Sequence, residues 1–158
     1  MRLIIQSVTS ASVSYPPYEG GIEGGSDKKI TNKIWPGILI YLWISTSDLS
    51  DYETKIEKII TKLPTIRFLD GEKSIDQSIK SINGEILLIP NFTIYGTNHK
   101  GTSMEFTNAA PFHQAKEIYE YFVKKALESW WKLQTGEFWA NMQVISENEG
   151  PINYVFEY

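Results

Sequence analysis

Hydrophobic positions recur along this chain with two different periods. Residues 2–8 alternate and run on into Ser12, Val13 and Tyr15 with strong strand propensity, predicting an opening strand or hairpin. Residues 37–44 (Gly-Ile-Leu-Ile-Tyr-Leu-Trp-Ile) and 86–89 (Ile-Leu-Leu-Ile) are unbroken apolar runs of strand length, the pattern of strands covered on both faces. Between them Tyr52, Ile56, Ile59, Ile60 and Leu63 follow helical spacing and predict a helix, capped by Ser47 or Asp48 and ended by Pro64. A longer stripe of Ala115, Ile118, Tyr119, Phe122, Val123, Ala126, Leu127 and Trp130 predicts a second helix, with Pro111 at its first turn.

Shorter signals fill the gaps. Residues 66–69 predict a short strand, Asp70-Gly71 and Asn83-Gly84 predict turns, and residues 136–145 resume strand character. Asn148-Glu149-Gly150-Pro151 predicts a turn before a last strand over 152–156, and the glycine-dense stretch 16–27 predicts a loop. The order β-β-β-α-β-β-α-β-β lacks the alternation of a doubly wound fold. It predicts an α/β chain with helices packed on or between sheets.

Organisation centres on residues 84–96. Pro90 follows the apolar run at once and has no N–H to give a neighbouring strand, so the ladder must break there or meet a bulge. Asn91, Phe92, Thr93 and Tyr95 come next. Small polar and aromatic side chains at the open end of a buried strand can floor a pocket, and an ordinary loop after a core strand fits this stretch equally well.

Composition narrows the class. The 158 residues fit one domain, 1–158, and the 42% apolar content with 22% charged residues is that of a globular chain. Without cysteine there is no disulfide or thiolate chemistry, an intracellular, cytoplasmic location is expected, and no apolar run reaches a membrane span. The net charge of −4 does not draw polyanions to the whole molecule. Any nucleic-acid contact rests on local lysines: Lys28, Lys29 and Lys33, then Lys124 and Lys125, which equally suit solvated faces.

Reactive groups are scarce. The two histidines, His99 and His113, have no neighbouring metal-ligand partners, so no metal is expected, and no glycine-rich nucleotide loop or Gly-x-Ser-x-Gly occurs, so no cofactor is expected. His99 lies six residues beyond Thr93 and reads as surface rather than as its base. An enzyme built from this chain would work through backbone donors, positioning and a group on its own substrate.

Three separated segments resemble the D-aminoacyl-tRNA deacylase family. They are Met1-Arg2-Leu3-Ile4-Ile5-Gln6-Ser7-Val8 with Ala11-Ser12-Val13, the stretch from Pro90 to Gly96, and Met142-Gln143-Val144 with Asn148-Glu149-Gly150-Pro151. Phe106-Thr107-Asn108-Ala109-Ala110-Pro111 is similar to the family's Phe-Ser-x-Ala-Ala-Pro. The resemblance implies a single-domain three-layer β/α/β sandwich with two long helices and an extended insertion over 15–35. It also implies a homodimer with sites at the subunit interface, which bind the 3′-terminal aminoacyl-adenosine of tRNA and hydrolyse its ester. By the same resemblance Thr93, Asn91 and Pro90 take the catalytic positions, and Phe92, Met142, Gly150, Pro151 and Asn153 bind substrate. The Gly150-Pro151 pair would enter the partner's pocket and exclude L-side chains, while a substrate ribose hydroxyl assists attack.

The chain departs from the pattern at the site. Pro90-Asn91 stands where the family has Ser-Gln, Asn153 where it has threonine, Ser7 where it has arginine, and Lys100-Gly101-Thr102-Ser103-Met104 where it has Lys-Gly-Arg-Arg-Pro. Proline removes a hydroxyl and a donor, and the lost arginines remove charge that phosphates would feel. A proline in the serine's place resembles a paralogous deacylase that clears a mischarged L-amino acid. A second expectation is therefore a catalytically impaired dimeric homologue that binds tRNA or another nucleic acid.

Overall fold

The structure is a computed structural model that describes residues 1–15, 29–72, 74–99 and 101–158, with residues 29–31 and Pro151 as backbone only. Eight strands and two helices follow in order: β1 (Arg2–Tyr15), β2 (Lys29–Ile34), β3 (Gly37–Trp43), α1 (Tyr52–Lys62), β4 (Leu69–Asp70), β5 (Ile75–Gln77), β6 (Glu85–Pro90), α2 (Phe112–Glu128), β7 (Leu133–Thr135) and β8 (Gln143–Glu157). The glycine-dense connection 16–27 lies outside the described residues. The chain is a mixed α/β fold with a near-barrel sheet and two helices.

The unbroken apolar runs occupy the middle of that sheet. β3 and β6 pair in parallel from Gly37↔Glu85 to Leu42↔Pro90, with β1 antiparallel on the far side of β3 and β7 parallel on the far side of β6. Gly37 is required by this pairing, because a Cβ there would collide with the Glu85 backbone. The long β1 serves two neighbours on one edge, β3 along its first half and β2 along its second, while β8 follows the other edge. This curls the sheet until β2 approaches β7, and the Asn32 side-chain amide donates to the Thr135 carbonyl at 2.6 Å.

Two cores result, one on each face. Leu3, Ile5, Ile38, Ile40, Leu42, Ile86 and Leu88 meet the apolar stripes of α1 and α2. On the other face Val8, Ala11, Val13, Ile34, Leu39, Leu87 and Ile89 fill the inside of the curl, with Tyr41, Met142 and Val144 partly buried at its rim. Burial of that extent, at about 25 cal/mol per Å² of apolar surface, is the main force holding the curl shut.

Several expectations need correction. Asp48 does not cap α1, whose N-cap is Asp51; it closes a capping box with Ser45 on a preceding 3-10 turn. The strand expected at 66–69 is the two-residue β4, hairpinned to β5 in the segment read as merely polar. Residues 136–142 are not strand: the Gly136 N–H makes the last bond of the β6–β7 ladder, to the Leu88 carbonyl at 2.8 Å, Pro90 has no N–H to continue it, and β8 begins only at Gln143. Nor do residues 148–151 reverse the chain. β8 runs through them as a wide bulge: Gln6 pairs with Asn153 and Val8 with Asn148, leaving residues 149–152 opposite Ser7 alone.

One buried ionic group ties the frame together. Asp48, 1% exposed, contacts the Met1 ammonium at 2.6 Å and Lys55 at 2.7 Å and accepts from the Ser45 N–H at 2.7 Å. Burial alone pushes this carboxyl up, but hydrogen bonds from Lys55, the ammonium and Ser45 outweigh it and hold the group below the usual carboxylate range. A depressed native pKa adds stability that is complete above the unfolded value near ~3.9 and lost as pH falls through the native one. Urea unfolding should therefore show stability falling once the pH drops below about 4. Asp48→Asn should cost about 3–5 kcal/mol at pH 7, because it strands the charges around it, and should flatten that acid limb. An acid limb unchanged in the variant would refute this.

Candidate functional site

The sheet's parallel centre decides where the site lies. Pro90 is the last residue of β6; alternate residues of the strand donate to β3, the last being Asn91, whose N–H reaches the Leu42 carbonyl at 3.0 Å, while Pro90 faces β7 and has no N–H to give it. The chain then leaves the sheet in a 3-10 turn over Phe92–Tyr95. The Asn91 side chain caps this turn: its Oδ1 accepts from the Thr93 N–H at 3.0 Å and from the Thr93 hydroxyl at 2.6 Å. Arg2 braces the turn from β1, donating to the Ile94 carbonyl at 2.6 Å and to Glu157 at 2.7 Å, with its guanidinium 4.5 Å from the centre of the Tyr95 ring.

At this strand end, on the face away from the helices, a cavity of about 590 Å³ opens. Tyr41, Trp43, Ile89, Pro90, Asn91, Phe92, Trp139, Ala140, Asn141, Met142 and Val144 line it. Gly136 brings the far wall in, since a Cβ at that position would strike the Met142 sulfur and the Ile89 side chain. Aromatic rings support the floor. Trp43 stacks on Phe138 at 5.2 Å and meets Phe92 edge-on at 6.1 Å, while Phe92 packs against Phe106 at 5.0 Å.

Among the described residues the cavity wall carries no carboxylate, lysine, arginine or histidine. Its one titratable group, the Tyr41 phenol, is pushed up by burial and stays neutral across the physiological range. Polar recognition falls to amides. With its oxygen committed to Thr93, Asn91 has its NH2 group to offer a ligand, and Asn141 adds a second side-chain amide. The buried Trp43 Nε1 has no hydrogen-bond partner among the described residues, a donor whose desolvation is uncompensated in the isolated chain.

The structure therefore brings Pro90, Asn91, Phe92 and Met142 together on one cavity. Thr93 is exposed and does not line it; its hydroxyl is spent on Asn91. Gly150 and Asn153 are also absent from the wall of this single chain. Asn153 accepts from the Gln6 side chain at 2.8 Å beside the β8 bulge, and a Cβ on Gly150 would meet nothing within 4 Å. The side chain of Pro151 lies outside the described residues. Sequence reasoning missed Tyr41, Trp43 and Trp139. The first two sat inside a run that looked like plain core, and their alternation with Leu42 was the available signal; Trp139 was hidden in a stretch read as strand.

Comparison with known proteins finds relatives along the whole chain. The family model for D-Tyr-tRNA(Tyr) deacylase matches residues 4–157. The D-aminoacyl-tRNA deacylase of Clostridium botulinum is 35% identical, over 99% of this chain and 97% of its own. That of Thermosipho melanesiensis is 33% identical over the same shares. Among solved structures, the c-Myc DNA Unwinding Element Binding Protein superposes with a TM-score of 0.82 at 28% identity, covering 100% of this chain and 99% of its own. A probable eukaryotic D-amino acid tRNA deacylase shares the fold with a TM-score of 0.72 at 14% identity, covering 98% of this chain and 97% of its own. A match of this extent at both levels means that the chain belongs to the D-Tyr-tRNA(Tyr) deacylase family.

Proposed function

We propose that this chain hydrolyses the ester of mischarged aminoacyl-tRNA, releasing the amino acid and free tRNA, and that the cavity at the end of β6 receives the aminoacylated 3′ end. The observation that carries this reading is the cavity itself: four of the residues expected at the site line it, in a chain that matches the family across residues 4–157. Water supplies the new C–O bond at the ester carbon, the bond to the ribose oxygen breaks, and that oxygen takes the proton. A wall without acids or bases suits such a step when a substrate hydroxyl assists and amide donors steady the developing oxyanion. In this reading Asn91 donates through its NH2, Thr93 shapes the pocket by locking Asn91, and Pro90, Phe92 and Met142 form the apolar wall.

The same reading places two subunits face to face. Tyr41, Ile4 and Val155 stand in one row across β3, β1 and β8, on the face where the cavity opens. Val155 is 64% exposed, leaving an apolar row without cover in the single chain. A partner on this face would carry its own β8 bulge, with Gly150, Pro151 and Asn153, toward the cavity, where a rigid proline beside a side-chain-free glycine suits steric exclusion. The fold is then a three-layer β/α/β sandwich, of which the core between the sheet and the two helices accounts for two layers. A cytoplasmic location fits a tRNA substrate and a chain without cysteine; among the described residues no helix is long and apolar enough to cross a membrane.

A second reading, a dimeric homologue that binds tRNA or another nucleic acid without cleaving it, is favoured by Pro90-Asn91 and Ser7 in place of the family's Ser-Gln and arginine and by the name of the DNA-unwinding-element binding protein that this chain resembles.

Incubation of the purified protein with D-tyrosyl-tRNA, glycyl-tRNA and L-alanyl-tRNA should release amino acid from at least one of them, and release from none would end the hydrolase reading. Activity that appears only in the Pro90→Ser/Asn91→Gln double variant would establish the second reading, and wild-type activity would exclude it. Light scattering at micromolar concentration should give a dimer. Val155→Asp should raise its dissociation constant at least ~10-fold, about 1.4 kcal/mol, by placing an unpaired charge in the interface; a wild-type monomer would contradict the two-subunit site.

A further inference from the structure

Trp139 is the one large side chain at the cavity whose placement neither local propensity nor the core explains. Its φ is +67°, in the left-handed region where a bulky L-residue is strained, and 58% of the residue is exposed. The cluster around it holds the ring plane: Phe92 stacks on the indole at 5.5 Å with 27° between planes, and Phe112 meets it edge-on at 4.9 Å and 84°. The result is a rigid, wet aromatic surface on the cavity wall beside Asn91 and Phe92.

We infer that Trp139 is the stacking platform for the terminal adenine of the tRNA 3′ end. This rests on the reading of the cavity as an aminoacyl-tRNA site. Among the described residues no lysine or arginine lines the wall, which favours holding the terminal nucleotide by its base, and an exposed indole is the group suited to do so. The alternative occupant of the ring is the amino-acid side chain. That group is the very end of the charged tRNA and reaches deepest, toward Ile89 of the inner core and Met142 and Val144 at its rim. The base follows behind it, at the exposed part of the wall where Trp139 stands.

The test uses the whole chain with Trp139→Gly, which removes the ring and relieves the backbone, and Trp139→Phe, which keeps a smaller ring. With D-tyrosyl-tRNA and D-alanyl-tRNA, Trp139→Gly should raise KM at least ~10-fold on both with kcat within about threefold, and Trp139→Phe should recover part of the loss, on the scale expected for one lost base stack. An unchanged KM, or an effect confined to the tyrosyl substrate, would overturn the inference. A second measurement does not depend on turnover. Of the five tryptophan indole N–H signals in the nitrogen-15 spectrum, adenosine 5′-monophosphate should shift the one missing from Trp139→Phe, and a titration that leaves it unmoved would refute the platform. Should the wild type deacylate nothing, the hydrolase reading fails, and the nucleotide titration still decides Trp139.

Discussion

A proline at the end of a central parallel strand is the constraint on which this molecule turns. Pro90 sits in register with Leu42 on the side of β6 that faces β7; it has no N–H to carry the β7 ladder past Gly136, while the β3 ladder makes its last bond through the Asn91 N–H. With strand pairing over, the next four residues coil into a 3-10 turn, and the Asn91 side chain is drawn back to cap it. The cavity lies at this strand end, walled by Tyr41 and Trp43 of β3 and by residues 139–142. Its floor inherits the rigidity of two fully buried strands.

That origin explains the chemistry the site can and cannot do. Strands buried on both faces are apolar, and the curl that closes behind them is packed with Leu39, Leu87 and Ile89. Charged groups placed here would be desolvated without partners, and none of the described residues that line the wall is charged. The charges are spent elsewhere, on Asp48 with Lys55 and the Met1 ammonium behind the turn, and on Arg2, which grips the Ile94 carbonyl. Amides, an indole N–H and aromatic faces are what the cavity offers a ligand. Such a surface recognises shape, a base and a carbonyl, and it leaves proton transfer to the substrate's own hydroxyls.

The departures from the family's pattern gain a physical meaning in this setting. Proline in place of serine removes a hydroxyl from the wall, yet it also makes the end of β6 sharper than a serine would. Asparagine in place of glutamine is short enough to cap its own turn, which is how its oxygen comes to hold both donors of Thr93. Ser7, where the family has arginine, is buried beneath the β8 bulge, while Arg2 supplies a guanidinium to the turn from another position on the same strand.

Much of this was legible in the residues themselves. Period and run length located both helices and the two central strands, because burial on one stripe or on both faces is written directly into local hydrophobic spacing. Pro90 marks the end of β6, and Pro90, Asn91, Phe92 and Met142, expected at the site from the sequence, line one cavity. The turn at Asn83-Gly84 also stands, with Asn83 in the left-handed region at φ +53°. What the chain could not disclose locally were features set by partners distant in sequence. Asn148 to Pro151 has turn composition but bulges within β8, since β1 offers a continuous edge to pair with. Residues 136–142 have strand composition but leave the sheet after the Gly136 N–H makes the last bond of the β6–β7 ladder, because Pro90 has no N–H to continue it. Tyr41, Trp43 and Trp139 read as core or strand until the sheet curls and places them around one opening. Local pattern determines which faces seek burial; only the closed tertiary structure decides which of those faces is left uncovered, and there the site forms.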